Sequence, residues 1–146
     1  MSVIENKALY RRYLEILSAR RLDLLDEVVS ADFLGHDLLD HFPRGREGLK
    51  QFRHLVDVAF PDLEAVLHDI IAEDDRVAAR VRLRGHHRGE FAGVQPTGRL
   101  IHMELFEIVR VEHAKIAERW VMRDRLSEML QMGVIATTDQ EPFSIS

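Results

Sequence analysis

The apolar residues of this chain change their period at Pro61. Before it they recur as on a helix: Leu9, Tyr13, Ile16 and Leu17, then Leu49, Phe52, Val56, Ala59 and Phe60. After it they alternate. Val77, Ala79, Val81 and Leu83 fall on one face of an extended segment, and Arg76, Ala78, Arg80, Arg82 and Arg84 on the other. Helices grouped first and strands grouped after leave no βαβ alternation. The order predicts an α+β fold in which three N-terminal helices pack on one face of an antiparallel sheet.

Ser2-x-x-Glu5 forms a capping box that opens the first helix. A short second helix follows Arg20-Arg21, with Leu22, Leu25 and Val29 spaced for burial. The stretch ADFLGHDLLDHFPRG is irregular, with one short strand at Phe33–His36, and the third helix stops at Pro61. Four strands then form a meander: LEAVLHDIIAE, an Asp74-Asp75 turn, RVAARVRLRGHHRG, a loop with the Pro96-Thr97-Gly98 turn signature, LIHMELFEIVRV, and the strand from Ile116. LSEML makes a terminal helix, and the residues beyond it lack periodicity. We expect one domain over 1–133 and a tail over 134–146.

Composition narrows the function. A net charge of −5 argues against a nucleic-acid surface. No stretch approaches the ~20 apolar residues of a membrane helix, and the first residues lack a basic region before an apolar run, so a cytoplasmic protein is the expectation. With no cysteine there is no disulfide, thiolate nucleophile or thiolate metal site. Among the eight histidines, His36-Asp37 with His41, or His86-His87, are the only arrangements suggestive of a metal, and neither has zinc-site spacing. Without a nucleotide fingerprint or a phosphate-binding loop, no metal and no cofactor is expected.

The stretch IAERWVMRDRLSEML carries the candidate chemistry. Strand alternation groups Ile116, Glu118, Trp120, Met122 and Asp124 on one face, and the large apolar members point that face inward. A tight turn at His113-Ala114 pairs Val111 with Ile116 and, by extension, Glu107 with Trp120 and Met103 with Asp124. Asp124 then stands at the end of an apolar surface, where lost hydration raises a carboxylate pKa and suits it to acid/base work. The same Asp just before LSEML equally reads as a helix N-cap. The opposite face collects Phe106, Ile108, Ala117 and Val121 with Arg110, Arg119 and Arg123; it is also partly apolar, and a second copy of the chain is the expected cover. His-Ala is a poor type I′ turn, and a slip of one residue exchanges the two faces. His87 shares the inward parity of Val77, Val81 and Leu83, and His36 follows the short first strand; each reads as a structural or a catalytic histidine. Tyr13 reads as a core residue or as one that lends its hydroxyl to a pocket.

Five segments together resemble the SnoaL-like polyketide cyclases of the NTF2-like superfamily: ADFLGHD (Ala31–Asp37), GREGLKQF (Gly45–Phe52), Ala59-Phe60-Pro61-Asp62, GHHRGEFAGVQPTGR (Gly85–Arg99), and ERWVMRD (Glu118–Asp124) leading into LSEMLQMG. The likeness runs from about Asn6 to Gly133. It implies a cone-shaped α+β barrel whose curved antiparallel sheet wraps a long helix and encloses an apolar pocket. It also implies a cofactor-free, oligomeric protein that acts on a small hydrophobic carbonyl compound. Cyclases of this family close the last ring of an aromatic polyketide by intramolecular aldol condensation. The acidic residue after the Trp is their acid/base, a position held here by Asp124. By the same carry-over His36 and His87 are pocket residues beside it, and Tyr13 matches an aromatic position on the family's first helix. Phe33, Phe52, Glu107, Trp120 and Met122 complete the expected substrate pocket. The chain departs from the family in His113-Ala114, where Asp-Gly is common, and in carrying Glu104 and Glu107. The alternative is a non-catalytic protein of the superfamily that binds a small apolar ligand, and a third reading is an oligomerisation module.

Overall fold

The computed structural model describes residues 1–38 and 41–136. Helix α1 (Val3–Ser18) begins at the expected capping box: Ser2 Oγ accepts from the Glu5 amide at 3.1 Å, and the Ser2 amide donates to Glu5 Oε1 at 3.2 Å. It buries Asn6, Tyr10, Tyr13, Ile16 and Leu17, one stripe at helical spacing. Each large apolar side chain so buried contributes roughly 1.5–3 kcal/mol of transfer free energy. The helix ends in a Schellman motif: the Arg21 amide donates to Ile16 O and the Arg20 amide to Leu17 O, both at 3.1 Å. Arg20 takes the left-handed position (φ 59°) that favours glycine, and its guanidinium donates to Phe60 O at 3.3 Å, which ties this turn to the next helix.

The expected second helix is a single 3-10 segment, Leu22–Glu27, with Leu25 buried. Strand β1 (Val29–Gly35) follows and is longer than the short strand expected there. Helix α2 (Arg46–Ala59) starts after Gly45, whose φ of 80° is one reason for glycine; a Cβ there would also meet Ala31 O at 2.3 Å. Strands β2 (Glu64–Glu73), β3 (Arg76–His86), β4 (Leu100–Glu112) and β5 (Lys115–Arg123) form the meander, and helix α3 (Arg125–Gln131) closes the described chain. Of the expected tail, residues 137–146 lie outside the described residues.

The five strands form one sheet in the order β1-β5-β4-β3-β2. The meander is antiparallel as expected, whereas β1 runs parallel to β5, which makes the sheet mixed. Val77, Ala79 and Val81 point to the helix side and are buried, as their alternation predicts. Together with the α1 stripe they make the main core; a second cluster of Val56, Ala59, Phe60, Leu63, Ile101, Met103 and Met132 fills the other end.

The β4–β5 hairpin decides what faces inward. His113 and Ala114 form the two-residue turn, with φ of 51° and 61°, the left-handed pair a type I′ turn requires. Val111 pairs with Ile116 as expected. One step later the ladder slips: Arg110 pairs with Glu118, so Ala117 is an extra residue in β5, a β-bulge. From there Val109 faces Arg119, Ile108 faces Trp120, Glu107 faces Val121 and Phe106 faces Met122. The expected faces of β5 are therefore exchanged. Arg119, Val121 and Arg123 line the inside with Glu107, while Glu118, Trp120 and Met122 stand outside with Phe106 and Ile108. Ile116, which precedes the bulge, and Glu107, Met103 and Leu105, which lie on β4, keep their expected inner side.

Candidate active site

Between the inner face of the sheet and helices α1 and α2 lies a cavity of about 70 Å³. Its walls are apolar: Leu17 from α1, Phe52 and Val56 from α2, Val81 and Leu83 from β3, and Met103 and Leu105 from β4. Against these walls the sheet and α1 set a polar group. Glu107 is buried and accepts twice, from the Tyr10 hydroxyl on Oε1 and from Arg119 Nε at 2.9 Å on Oε2. Arg119 Nη1 stands 3.7 Å from Asp37 Oδ2, and Asp37 Oδ1 is buried with no hydrogen-bond partner among the described residues. Tyr13 lies 5.9 Å from Tyr10, ring centroid to centroid, and also lines the cavity.

Burial dominates the electrostatics here. It pushes the Tyr13 hydroxyl up to about 12, and pushes Tyr10 up as well, where the adjacent Glu107 charge adds to the effect. Both phenols stay protonated at neutral pH, and Tyr10 donates to Glu107. Burial opposes the Arg119 charge, but Tyr13, Glu107 and Asp37 outweigh it and raise its pKa above the ordinary arginine value. At the other end of the cavity Arg123 lies 5.3 Å over the Phe91 ring, and its Nε is 3.2 Å from Glu128 Oε2. Burial raises the Glu128 pKa, with Arg123 pulling the other way. Loop residue Phe91, Phe52, Val56 and Arg123 together make the end of the cavity away from Tyr10.

The structure sorts the sequence candidates. Tyr13, Phe52 and Glu107 line the cavity. Phe33 is buried in the main core beside it. His87 is fully buried but does not line the cavity: its Nδ1 accepts from the Thr97 amide at 3.3 Å, its ring stacks on Phe60, and its amide donates to Arg99 O at 2.9 Å. It fastens the base of the loop that carries Phe91. His36, Trp120 and Met122 are on the outer face, the last two as a consequence of the bulge. There His36 stacks on Trp120 at 5.0 Å and meets Glu118 Oε2 at 2.7 Å, and that contact, followed by Arg110, lowers the Glu118 pKa. Asp124 is exposed and caps α3, accepting from the Ser127 amide at 3.0 Å. It follows Arg123 in the chain but does not itself line the cavity.

Tyr10, Asp37 and Arg119 are not among the pocket residues the sequence predicts. Tyr10 sits one turn before Tyr13 on the same stripe, a signal the helical spacing does contain. Unbroken alternation places Arg119 outside, and the bulge interrupts that alternation. Asp37 lies just past β1, where no periodic signal reaches.

Helix α3 is latched to the sheet by Gln131, whose Oε1 accepts from the His102 amide at 2.7 Å and whose Nε2 donates to His102 O at 2.8 Å. Among the described residues no helix is long and apolar enough to cross a membrane. The outer face bears a recess of about 520 Å³ around Ile71, Phe106, Ile108, Trp120 and Met122, and four of these are exposed, Met122 to 78%.

Known proteins are similar to this chain in sequence and in fold. The family model described as SnoaL-like polyketide cyclase matches residues 7–132. Aklanonic acid methyl ester cyclase DnrD of Streptomyces peucetius is 30% identical over 129 residues, covering 86% of this chain and 88% of that protein. Among solved structures, IdmH from Streptomyces antibioticus is 31% identical with a TM-score of 0.77, over 88% of this chain and 98% of that one. TsrD from Streptomyces laurentii, at 23% identity and a TM-score of 0.83 over 92% of this chain and 99% of that one, shares the fold. With its mixed five-stranded sheet packed against α1 and a family match that spans nearly all of the described residues, the chain belongs to the SnoaL-like polyketide cyclases, of the NTF2-like fold.

Proposed function

We propose that this protein is a polyketide cyclase that closes a ring by an intramolecular aldol reaction within the inner cavity. The observation that supports this best is the buried Tyr10–Glu107–Arg119–Asp37 group set against apolar walls, in a chain 30% identical to an aklanonic acid methyl ester cyclase. Acid/base catalysis suffices for the reaction. A base takes a proton from a carbon activated by neighbouring carbonyls. The resulting carbanion forms a C–C bond to a second carbonyl carbon of the same molecule. The alkoxide oxygen left by that bond takes the proton back, so the product is an isomer of the substrate. A conjugated substrate spreads the charge of its own enolate, and a positioned base contributes ~10²–10⁴-fold.

Asp124 is the base by family position. To act, its carboxylate must leave the Ser127 amide and turn past Arg123 into the cavity. Free volume of about 70 Å³ holds only a few waters at roughly 30 Å³ each, so substrate entry also requires Phe52, Phe91 and Arg123 to move apart. The place of Asp124, capping α3 rather than lining the cavity, favours a second reading, a binding protein for a small apolar ligand with no turnover. The outer face is the dimer interface of this proposal. The bulge adds Trp120 and Met122 to Phe106 and Ile108, and Arg80–Asp69 and Arg110–Glu118 pairs rim the patch.

Turnover of aklanonic acid methyl ester, followed by the absorbance change on ring closure, tests the cyclase reading. Wild type should convert it, and Asp124→Asn should lose at least about 10²-fold in rate with an unchanged melting profile. Full turnover by Asp124→Asn removes that residue from the role. Ligand binding without conversion by wild type favours the second reading.

A further inference from the structure

We propose that Asp37 and Arg119 form a two-point reader for a hydroxyl beside a carbonyl, the pattern of an enolised 1,3-diketone or an ortho-hydroxyaryl ketone. The inference deepens the proposed function and rests on the inner cavity being its binding site. It starts from a difference between the two carboxylates that line the cavity. Glu107 is filled, with Tyr10 on one oxygen and Arg119 Nε on the other. Asp37 is not: its Oδ1 is buried and accepts nothing among the described residues. A buried acceptor left empty is costly, and a bound donor relieves that cost.

The surroundings restrict the donor. A ligand carboxylate would bring an acceptor to an acceptor. A ligand ammonium would lie against Arg119, whose guanidinium is within 3.7 Å of the same Asp37 carboxylate. A neutral hydroxyl satisfies Oδ1 without either conflict. Arg119 supplies the second point. Its Nε is committed to Glu107, and its terminal nitrogens make no hydrogen bond among the described residues; the 3.7 Å separation from Asp37 is too long for one. Those N–H groups are left to donate to a carbonyl oxygen. Glu107 is then a positioning residue, since its bond to Nε fixes the guanidinium plane. Arg123 and Arg53, the other cations of the lining, already face Glu128 and Asp57. The reader therefore sits at one end of the cavity, with Tyr13 beside it.

Three aryl probes test this: 2-hydroxyacetophenone, its methyl ether 2-methoxyacetophenone, and salicylate, each titrated calorimetrically into the full chain. Wild type should bind the hydroxy ketone at least about tenfold tighter than the ether, and salicylate no better than the ether. Asp37→Leu, which keeps volume and removes the acceptor, should bind ketone and ether alike. If Asp37→Leu does not fold, the wild-type ranking of the three probes still decides. Equal binding of ketone and ether, a ketone preference that survives Asp37→Leu, or no binding of any probe overturns the proposal. The outcome separates from that of the turnover assay: discrimination without conversion leaves a reader in a binding protein, and conversion without discrimination leaves a cyclase that holds its substrate elsewhere.

Discussion

Replacing Glu107 by Gln measures how dry the cavity is. The substitution keeps the shape of the side chain and removes one charge from a buried pair. Arg119, 9% exposed, then faces a neutral amide where the carboxylate stood at 2.9 Å, and its remaining ion pair is Asp37 at 3.7 Å. Breaking a buried pair by removing one member costs about 3–5 kcal/mol, because the remaining charge is left in a poor solvent. The remaining Asp37 attraction is on the order of 4 kcal/mol at an effective dielectric of about 20, so the cost belongs at the lower end, about 3 kcal/mol. A domain with about 5–15 kcal/mol of stability survives that loss. With a urea slope of about 1–3 kcal/mol per molar, the unfolding midpoint should fall by about 1 M or more at unchanged slope. Tyr10→Phe should cost about 2 kcal/mol, the value of a hydrogen bond to a charged acceptor. The double variant should cost less than the sum, since both act through Glu107. A loss below about 1 kcal/mol for Glu107→Gln would refute the reasoning: water would then be solvating Arg119, and the group could not serve as a desolvated site.

Other expectations follow from the same geometry. Met122→Asp or Phe106→Glu should convert a dimer to monomers in sedimentation velocity, without a change in the far-ultraviolet spectrum of the monomer. Glu128 has its pKa raised from the ordinary 4.5, so the folded state holds its proton more tightly than the unfolded state. Its contribution is full below 4.5 and is lost as pH rises through the raised value; the stability of wild type relative to Glu128→Gln, from denaturant titrations, should fall over that window. Ala114 has a φ of 61°, and Ala114→Gly should raise stability by up to about 1 kcal/mol by relieving the left-handed strain; a loss would mean that the methyl group packs.

The layout of the fold was legible because two periods carried it. The α1 stripe and the β3 alternation each bury the residues they predict, and the Ser2–Glu5 box appears as written. The His113-Ala114 turn is also present as expected, although its residues suit a type I′ turn poorly and the sequence alone leaves a one-residue slip open. The site was less legible. Ala117 is a small residue with no mark of a bulge, yet it determines whether Trp120 or Arg119 points inward. The Asp124 stretch supported both a cap and an acid/base, and the capping bond is the geometry present. The parallel β1–β5 pair depends on contacts distant in sequence, which periodicity does not encode.

The bulge at Ala117 has a consequence for how this chain tolerates change. Downstream of it, odd-numbered β5 positions belong to the chamber and even-numbered ones to the exterior, so point substitutions can alter one without touching the other. Arg119, Val121 and Arg123 can be varied for ligand preference while Glu118, Trp120 and Met122 keep the outer surface. A single-residue deletion in this strand does the reverse: it transposes the two sets at once, sending a tryptophan into the chamber and an arginine out of it. In directed evolution of this scaffold, substitution libraries across β5 should yield graded phenotypes, and length variants in the same strand should yield almost none that work.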